Sequence, residues 1–284
     1  MVGDALAGFH PGVIFFYFAA VIGLAMFFFH PVMLGATLVC GAVYALYLKG
    51  RGALKWGLFL LPLLLVTAGL NPLFNHRGVT ILGFLPNGNP VTLEAVLYGG
   101  ASAVMLVAVV LWFVCLNAVM TGEKWIFLFG RVLPALSLVL SMTMRLVPRF
   151  LAQGRVIYAA QKGLQRRVNP LKVLSILVTW ALENAVETAD SMNARGYGLA
   201  GRTAFGLYRF GKRDALALGF IFFCAMVVIF GSSAVRFQFF PRIIMHEINA
   251  GAVGVFVVYL ALGAFPMILN GKEAMAWKRI ESRM

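Results

Sequence analysis

The chain has 284 residues, 61% hydrophobic and 12% charged, against roughly 45–50% and about 25% in ordinary soluble domains. A soluble fold of this size has no means of burying that much apolar surface, and charge-free runs such as Val13 to Phe29 and Leu216 to Phe230 approach the roughly 20 residues that cross a bilayer. The net charge of +14 therefore reads first as membrane topology, not as nucleic-acid binding.

In chain order, Met1 to His10 carries Asp4 and no Lys or Arg. It lacks the basic start of a secretory signal, and the first apolar run is expected to be retained. Spans are predicted near Val13 to Phe29, Val32 to Leu48, Trp56 to Leu70, Leu93 to Leu116, Ala215 to Phe230 and Ala252 to Leu269. The fold class is thus all-α, a polytopic membrane protein of about six transmembrane helices. His30-Pro31 marks a tight turn between the first two, because Pro disfavours helix at the residue before it. Cys40, Cys115 and Cys224 stand in apolar runs without redox or zinc spacing and read as buried thiols.

Topology follows from the basic residues of each connection. Lys49, Arg51 and Lys55 fall in the second connection, whereas Asn71 to Thr92 holds only Arg77. Between Gly122 and Arg213 lie fourteen basic residues against four acids, Glu123, Glu183, Glu187 and Asp190. Arg236 and Arg242 lie between the last two spans, and Lys272, Lys278, Arg279 and Arg283 in the tail. The alternation puts both termini and the basic middle on the cytoplasmic side. Three regions result: membrane helices over 1–121, an interfacial and cytoplasmic region over 122–213, and membrane helices with a basic tail over 214–284.

A middle region of that length without structure is improbable. Trp125 to Val147 is apolar but interrupted by Gly130-Arg131 and Pro134, which favours a partly embedded helical hairpin over a crossing that would reverse everything after it. Two amphipathic helices follow. The first, roughly Arg149 to Gln165, carries Arg155, Lys162 and Arg166 opposite an apolar stripe. The second has Pro170 at its start and Gly196 beyond its end, with Leu174, Leu177, Ala181, Ala185, Ala189 and Met192 on one face and Glu183, Glu187, Asp190 and Arg195 on another. Glu183 and Glu187, four apart, repel unless a basic helix or a partner neutralises them.

Enzymatic signatures are weak. Gly196 to Gly201 matches GxGxxG but closes a helix instead of following a strand. Gly206 to Lys212 matches GxxxxGK, yet Arg213 stands where a P-loop needs a hydroxyl for magnesium. His10, His30, His76 and His246 are scattered, and the spans hold no chain of ionisable residues to mark a substrate path. The reading is therefore a non-enzyme without a catalytic, metal or cofactor site. What remains is Ser191-Met192-Asn193-Ala194-Arg195-Gly196-Tyr197-Gly198 at a helix end, where either Arg195 only complements the helix dipole and Gly196 only supplies a left-handed cap, or the guanidinium offers a forked donor to a carboxylate on another protein.

At this motif the chain resembles the transmembrane T component of energy-coupling factor (ECF) transporters, the family that includes the membrane component of cobalt uptake systems. Further matches are Asn71-Pro72-Leu73-Phe74 after the third span, Met144-Arg145-Leu146-Val147-Pro148 before the first coupling helix, and Ala160-Gln161-Lys162 within it. The family's second Ala-Arg-Gly type motif is missing, Gly163-Leu164 standing in its place, so that either Arg166 or Arg167 substitutes or the contact to one ATPase differs. The resemblance implies a multi-pass protein of a bacterial or archaeal cell membrane and two cytoplasmic ABC-type ATPase partners, which would bind the ATP and magnesium. It also implies a small membrane subunit that captures a vitamin or transition-metal ion. Coupling to the ATPases would fall to Ala194, Arg195, Gly196, Gln161, Lys162 and Arg166, supported by Arg145, Pro148, Glu183, Glu187, Asp190, Asn71 and Pro72. The rival expectation is a membrane-embedded enzyme whose basic face holds anionic lipid headgroups.

Overall fold

The computed structural model describes residues 4–84, 86, 88–130, 133–164, 169–199, 208–235, 237–245 and 249–281. It is all-α, about 81% helical, with nine helices among these residues. They are α1 Pro11–Phe27, α2 Pro31–Lys49, α3 Arg51–Phe74, α4 Leu93–Val119, α5 Gly122–Gly130, α6 Pro134–Gly163, α7 Pro170–Ala194, α8 Lys212–Phe230 and α9 Ala250–Glu281. Two short hairpins, β1 Ile81–Phe84 with β2 Pro90–Thr92 and β3 Phe237–Gln238 with β4 Ile244–Met245, lie in the α3–α4 and α8–α9 connections. Four helices, α2, α4, α8 and α9, are long and apolar enough to cross a membrane; Pro11–Phe27 and the 59–74 part of α3 are shorter apolar helices.

The chain divides into two compact units, one of residues 1–121 with 208–284 and one of residues 122–207. In the first, α4 is the central helix, packed on α1, α2 and α3. Its Trp112 is fully buried, with Nε1 donating to Thr37 O at 3.1 Å and the ring among Tyr17, Phe18 and Tyr44. Small residues let the backbones approach, as membrane helix interfaces require. A Cβ on Gly41 of α2 would lie 2.9 Å from Trp112 Nε1, and one on Gly263 of α9 would lie 3.3 Å from Cys40. Gly41→Ala is accordingly expected to displace Trp112 and cost about 1–3 kcal/mol of stability, typical of overpacking, read as a lowered melting midpoint in detergent.

Local sequence explains the helix starts. His10-Pro11 and His30-Pro31 are the same device: Pro takes the first helical position, and the His Nδ1 caps by accepting from Gly12 N or Val32 N at 3.2 Å. His30 is buried between Phe237 and Phe256, and burial pushes its pKa below the ordinary 6.5. Because the folded state disfavours the proton, this cap contributes fully above pH 6.5 and is lost as pH falls below it. His30→Asn, which keeps a capping oxygen, should lose less stability between pH 7.5 and pH 5 than the parent chain, measured by thermal melts.

Two expectations need correcting. Asn71 and Pro72 do not follow the third helix; they lie inside α3, which runs to Phe74. Pro72 lacks the N–H that would bond the Ala68 carbonyl, and α4 closes on that freed carbonyl through Gly99, where a Cβ would sit 2.6 Å from Ala68 O. Nor does the first amphipathic helix begin at Arg149. Helix α6 starts at Pro134 and passes through Pro148, whose ring is exposed and interrupts only one backbone bond.

The six helices of the first unit have distinct ends. At one end Phe29, Tyr98, Phe237 and Phe239 cluster, with ring centroids 4.5–5.5 Å apart. This joins the α1–α2 turn, the start of α4 and the α8–α9 connection. There too the α3–α4 loop folds back, Glu94 accepting from Thr80 N at 3.2 Å and Thr80 Oγ1 at 3.0 Å. At the other end Tyr44 and Asn270 hydrogen-bond Asp4, and Asp214 accepts from His10 N. Lys212, Arg213 and Lys272 belong to this second end, Arg77 and Arg242 to the first.

Candidate functional site

The unit 122–207 is built on a pair of antiparallel helices. Phe150 meets Trp180 with ring centroids 5.6 Å apart, and Gly154 faces Leu177 Cδ2, so α6 and α7 run side by side in opposite directions. Helix α5 folds back along the first half of α6, with Gly130 against Ser137 and Gly122 against Met144, a helical hairpin across the segment Trp125 to Val147.

The α6–α7 seam uses one stripe of each helix. On α6 it comprises Leu146, Phe150, Gln153, Gly154, Ile157 and Gln161, and on α7 Val173, Ile176, Leu177, Trp180, Ala181 and Asn184, all partly or fully covered. Helix α7 carries a second apolar stripe at helical spacing, Leu171, Leu174, Val178, Leu182 and Val186, which is 49–73% exposed. Helical spacing in the sequence places Leu174 and Leu177 on one apolar face. The structure separates them: Leu177 turns into the seam and Leu174 outward. The signal was present, since α7 is apolar over more of its circumference than one neighbour covers.

Arg195 is presented by a defined helix end. Ala194 is the last residue of α7 and Arg195 its C-cap. Gly196 follows with φ +77°, a conformation that costs an L side chain roughly 1–2 kcal/mol. Gly196 N donates to Asn193 O at 2.9 Å and Tyr197 N to Met192 O at 3.0 Å, the paired bonds of a Schellman motif. The glycine of the Ala-Arg-Gly sequence thus terminates the helix, and the arginine stands exposed at its negative end.

The other predicted residues divide by position. Gln161 is half-buried on the α7 side of α6, and Lys162 beside it is exposed; Arg166 lies outside the described residues. Because α6 and α7 are antiparallel, Gln161 and Lys162 sit at the end where α7 begins. Arg195 is 25 residues on from Pro170, which at 1.5 Å per residue is about 37 Å along the pair. The structure therefore does not bring the expected coupling residues into one site but sets them at its two ends. Arg145 and Pro148 are exposed on α6, and Glu183, Glu187 and Asp190 on α7. Among the described residues no salt bridge is found at Glu183 or Glu187, whereas Arg213 pairs with Glu273 at 3.9 Å. Asn71 and Pro72 belong to the other unit, in the α3–α4 contact, where the buried Asn71 Oδ1 has no hydrogen-bond partner among the described residues.

Within the helix bundle, the cavity lined by Val21, Thr37, Cys40, Trp112 and Tyr259 measures about 10 Å³, the volume of a single water. Its hydroxyls are satisfied internally, Tyr259 Oη meeting Thr37 Oγ1, which donates to Met33 O at 2.7 Å. A larger cavity of about 400 Å³ opens beside the Phe29 cluster, lined by Phe27, Phe28, Phe29, His30, Ser232, Val235, Phe237 and Gln238. Among the described residues no group of three or more His, Cys, Asp or Glu is placed to hold a metal ion. No protein-family model matches the chain, and no curated protein sequence matches it.

Proposed function

We propose that this chain is the membrane scaffold and coupling subunit of an ECF-type ABC importer, carrying motion from two cytoplasmic ATPase subunits to a small substrate-binding membrane subunit. The substrate would be a vitamin or a transition-metal ion. The observation that carries the reading is the surface of α7: an apolar stripe that its own unit leaves uncovered, ending at an exposed arginine locked by a Schellman turn. Such a stripe in a stable protein calls for a second partner, and a fixed guanidinium at a helix end suits a carboxylate-lined groove.

The two-ended placement of the polar residues supports two docking points. Arg195 would engage one ATPase; the Gln161–Lys162 end, with Arg166, would engage the other. The apolar helices fit a multi-pass protein of a bacterial or archaeal cell membrane, with α1 and α3 completing six spans. The grouping of Lys212, Arg213 and Lys272 at the end opposite Arg77 and Arg242 supports cytoplasmic termini.

The test is affinity capture of the tagged chain from its native membranes, followed by mass spectrometry. Recovery of two ATPases and a small apolar membrane protein is expected. A chain recovered alone that turns over phospholipid would instead establish the lipid-enzyme reading.

A further inference from the structure

Helix α8 is where the chain resumes the bundle after the unit 122–207, and its start is held by the N-terminal segment. Asp214 is buried, and its two carboxylate oxygens bond different parts of the chain. Oδ1 accepts from His10 N at 2.9 Å and Oδ2 from Gly211 N at 2.9 Å. The Arg213 guanidinium lies 5.4 Å from the centre of the Phe9 ring, and the His10 ring meets Phe210 edge-on at 5.5 Å. The N-terminal segment is itself anchored to the bundle. Asn270 of α9 accepts from Ala5 N at 2.7 Å and donates to Asp4 Oδ1 at 2.8 Å, and Tyr44 of α2 donates to Asp4 Oδ2 at 2.9 Å. Leu6 and Phe9 are buried beneath.

We infer that residues 4–10 form a clasp that fixes residues 210–214 to α2 and α9, so that displacement of the unit 122–207 ends at this point instead of dragging α8 out of the bundle. Charge is scarce in this chain. The chain has ten acids, and two of them, Asp4 and Asp214, are spent on bonds that join segments more than 200 residues apart in sequence. Neither faces a cation in those bonds; both accept from neutral N–H or O–H groups, the pattern of a structural tie. Asp214 is a positioning residue, acting through the backbone of His10 and Gly211. That the displacement is driven by ATP rests on the coupling function proposed above; the clasp itself does not.

Hydrogen exchange on the full chain in lipid nanodiscs tests the clasp without any partner. Asp214→Ala should raise exchange at least tenfold in peptides covering 5–11 and 208–215, while α2 and α4 around Trp112 remain protected. Unchanged exchange in those peptides, or loss of protection throughout the bundle, overturns the inference, the latter because it marks Asp214 as an ordinary core residue. Asp214→Asn, which retains one acceptor oxygen, should give a smaller rise confined to the same peptides, and serves if the alanine variant fails to fold. In the complex captured with its ATPases, magnesium with a non-hydrolysable ATP analogue should alter exchange only within 122–207 for the parent chain. For Asp214→Ala the change should reach 208–215. An equal response of 208–215 in both proteins overturns the anchoring role. Failure to capture any ATPase overturns the transporter reading and leaves the nanodisc result to decide the clasp.

Discussion

Arg195→Glu is expected to abolish capture of one ATPase while the chain inserts and folds as before. Charge-assisted hydrogen bonds contribute about 1.5–3 kcal/mol, and truncating one partner of a buried charged pair costs about 2–5 kcal/mol. Charge reversal adds repulsion, so affinity should fall on the order of 100-fold or more. The fold should be indifferent, since the side chain is exposed and makes no ion pair among the described residues. Quantitative mass spectrometry of the captured complex measures both, against the recovered amount of the tagged chain. Arg195→Lys keeps the charge but loses the planar fork and should give an intermediate loss. Gly196→Val separates charge from geometry. It keeps the arginine but forces a β-branched residue into the φ +77° position, unwinding the last turn of α7, and should weaken capture nearly as much. If Arg195→Glu recovers both ATPases at parental levels, the docking role of this helix end is wrong.

The second large effect is expected from the double substitution Leu174→Glu with Leu182→Glu. Burying a leucine side chain contributes about 1.5–3 kcal/mol, so two charged replacements in a partner interface should reduce its affinity on the order of 100-fold or more. The partner lost should be the small membrane subunit, with both ATPases retained, the reverse of the Arg195→Glu result. Since Leu174 and Leu182 are 55% and 66% exposed, the melting midpoint of the isolated chain should hardly change, as for most surface substitutions. Ile157→Glu is the contrasting case. That side chain is 8% exposed in the α6–α7 seam, so its replacement should lower stability and the recovery of every partner together. A double variant that still retains the membrane subunit would remove the role assigned to this stripe.

Much of the architecture was legible because each signal was local. Hydrophobic runs located the apolar helices, Pro170 and Gly196 marked the limits of α7, and charge asymmetry set 122–213 apart in sequence, where the compact unit of the structure is 122–207. Misplaced boundaries came from proline. Pro72 and Pro148 each remove one backbone donor, but a helix packed on a neighbour tolerates that loss, and α3 and α6 continue through them. The small hairpins were missed because β3 and β4 are two residues each, too short to establish an alternating pattern. The candidate site was legible in its parts and not in its layout, because antiparallel packing of α6 and α7 sends Gln161 and Arg195 to opposite ends.

The sequence by itself determined a strongly apolar chain with a basic middle, because apolar content and the position of charge are properties of the chain in any conformation. The reason Arg195 is followed by glycine was also written locally, in the left-handed turn that closes α7. Only the tertiary structure decided which apolar face of α7 stays uncovered, since that depends on which face α6 takes. It alone decided that Asp4 and Asp214 join the N-terminus to α2, α8 and α9. Those bonds link residues more than 200 positions apart in sequence, and no local pattern encodes a contact that forms only when the helices have packed.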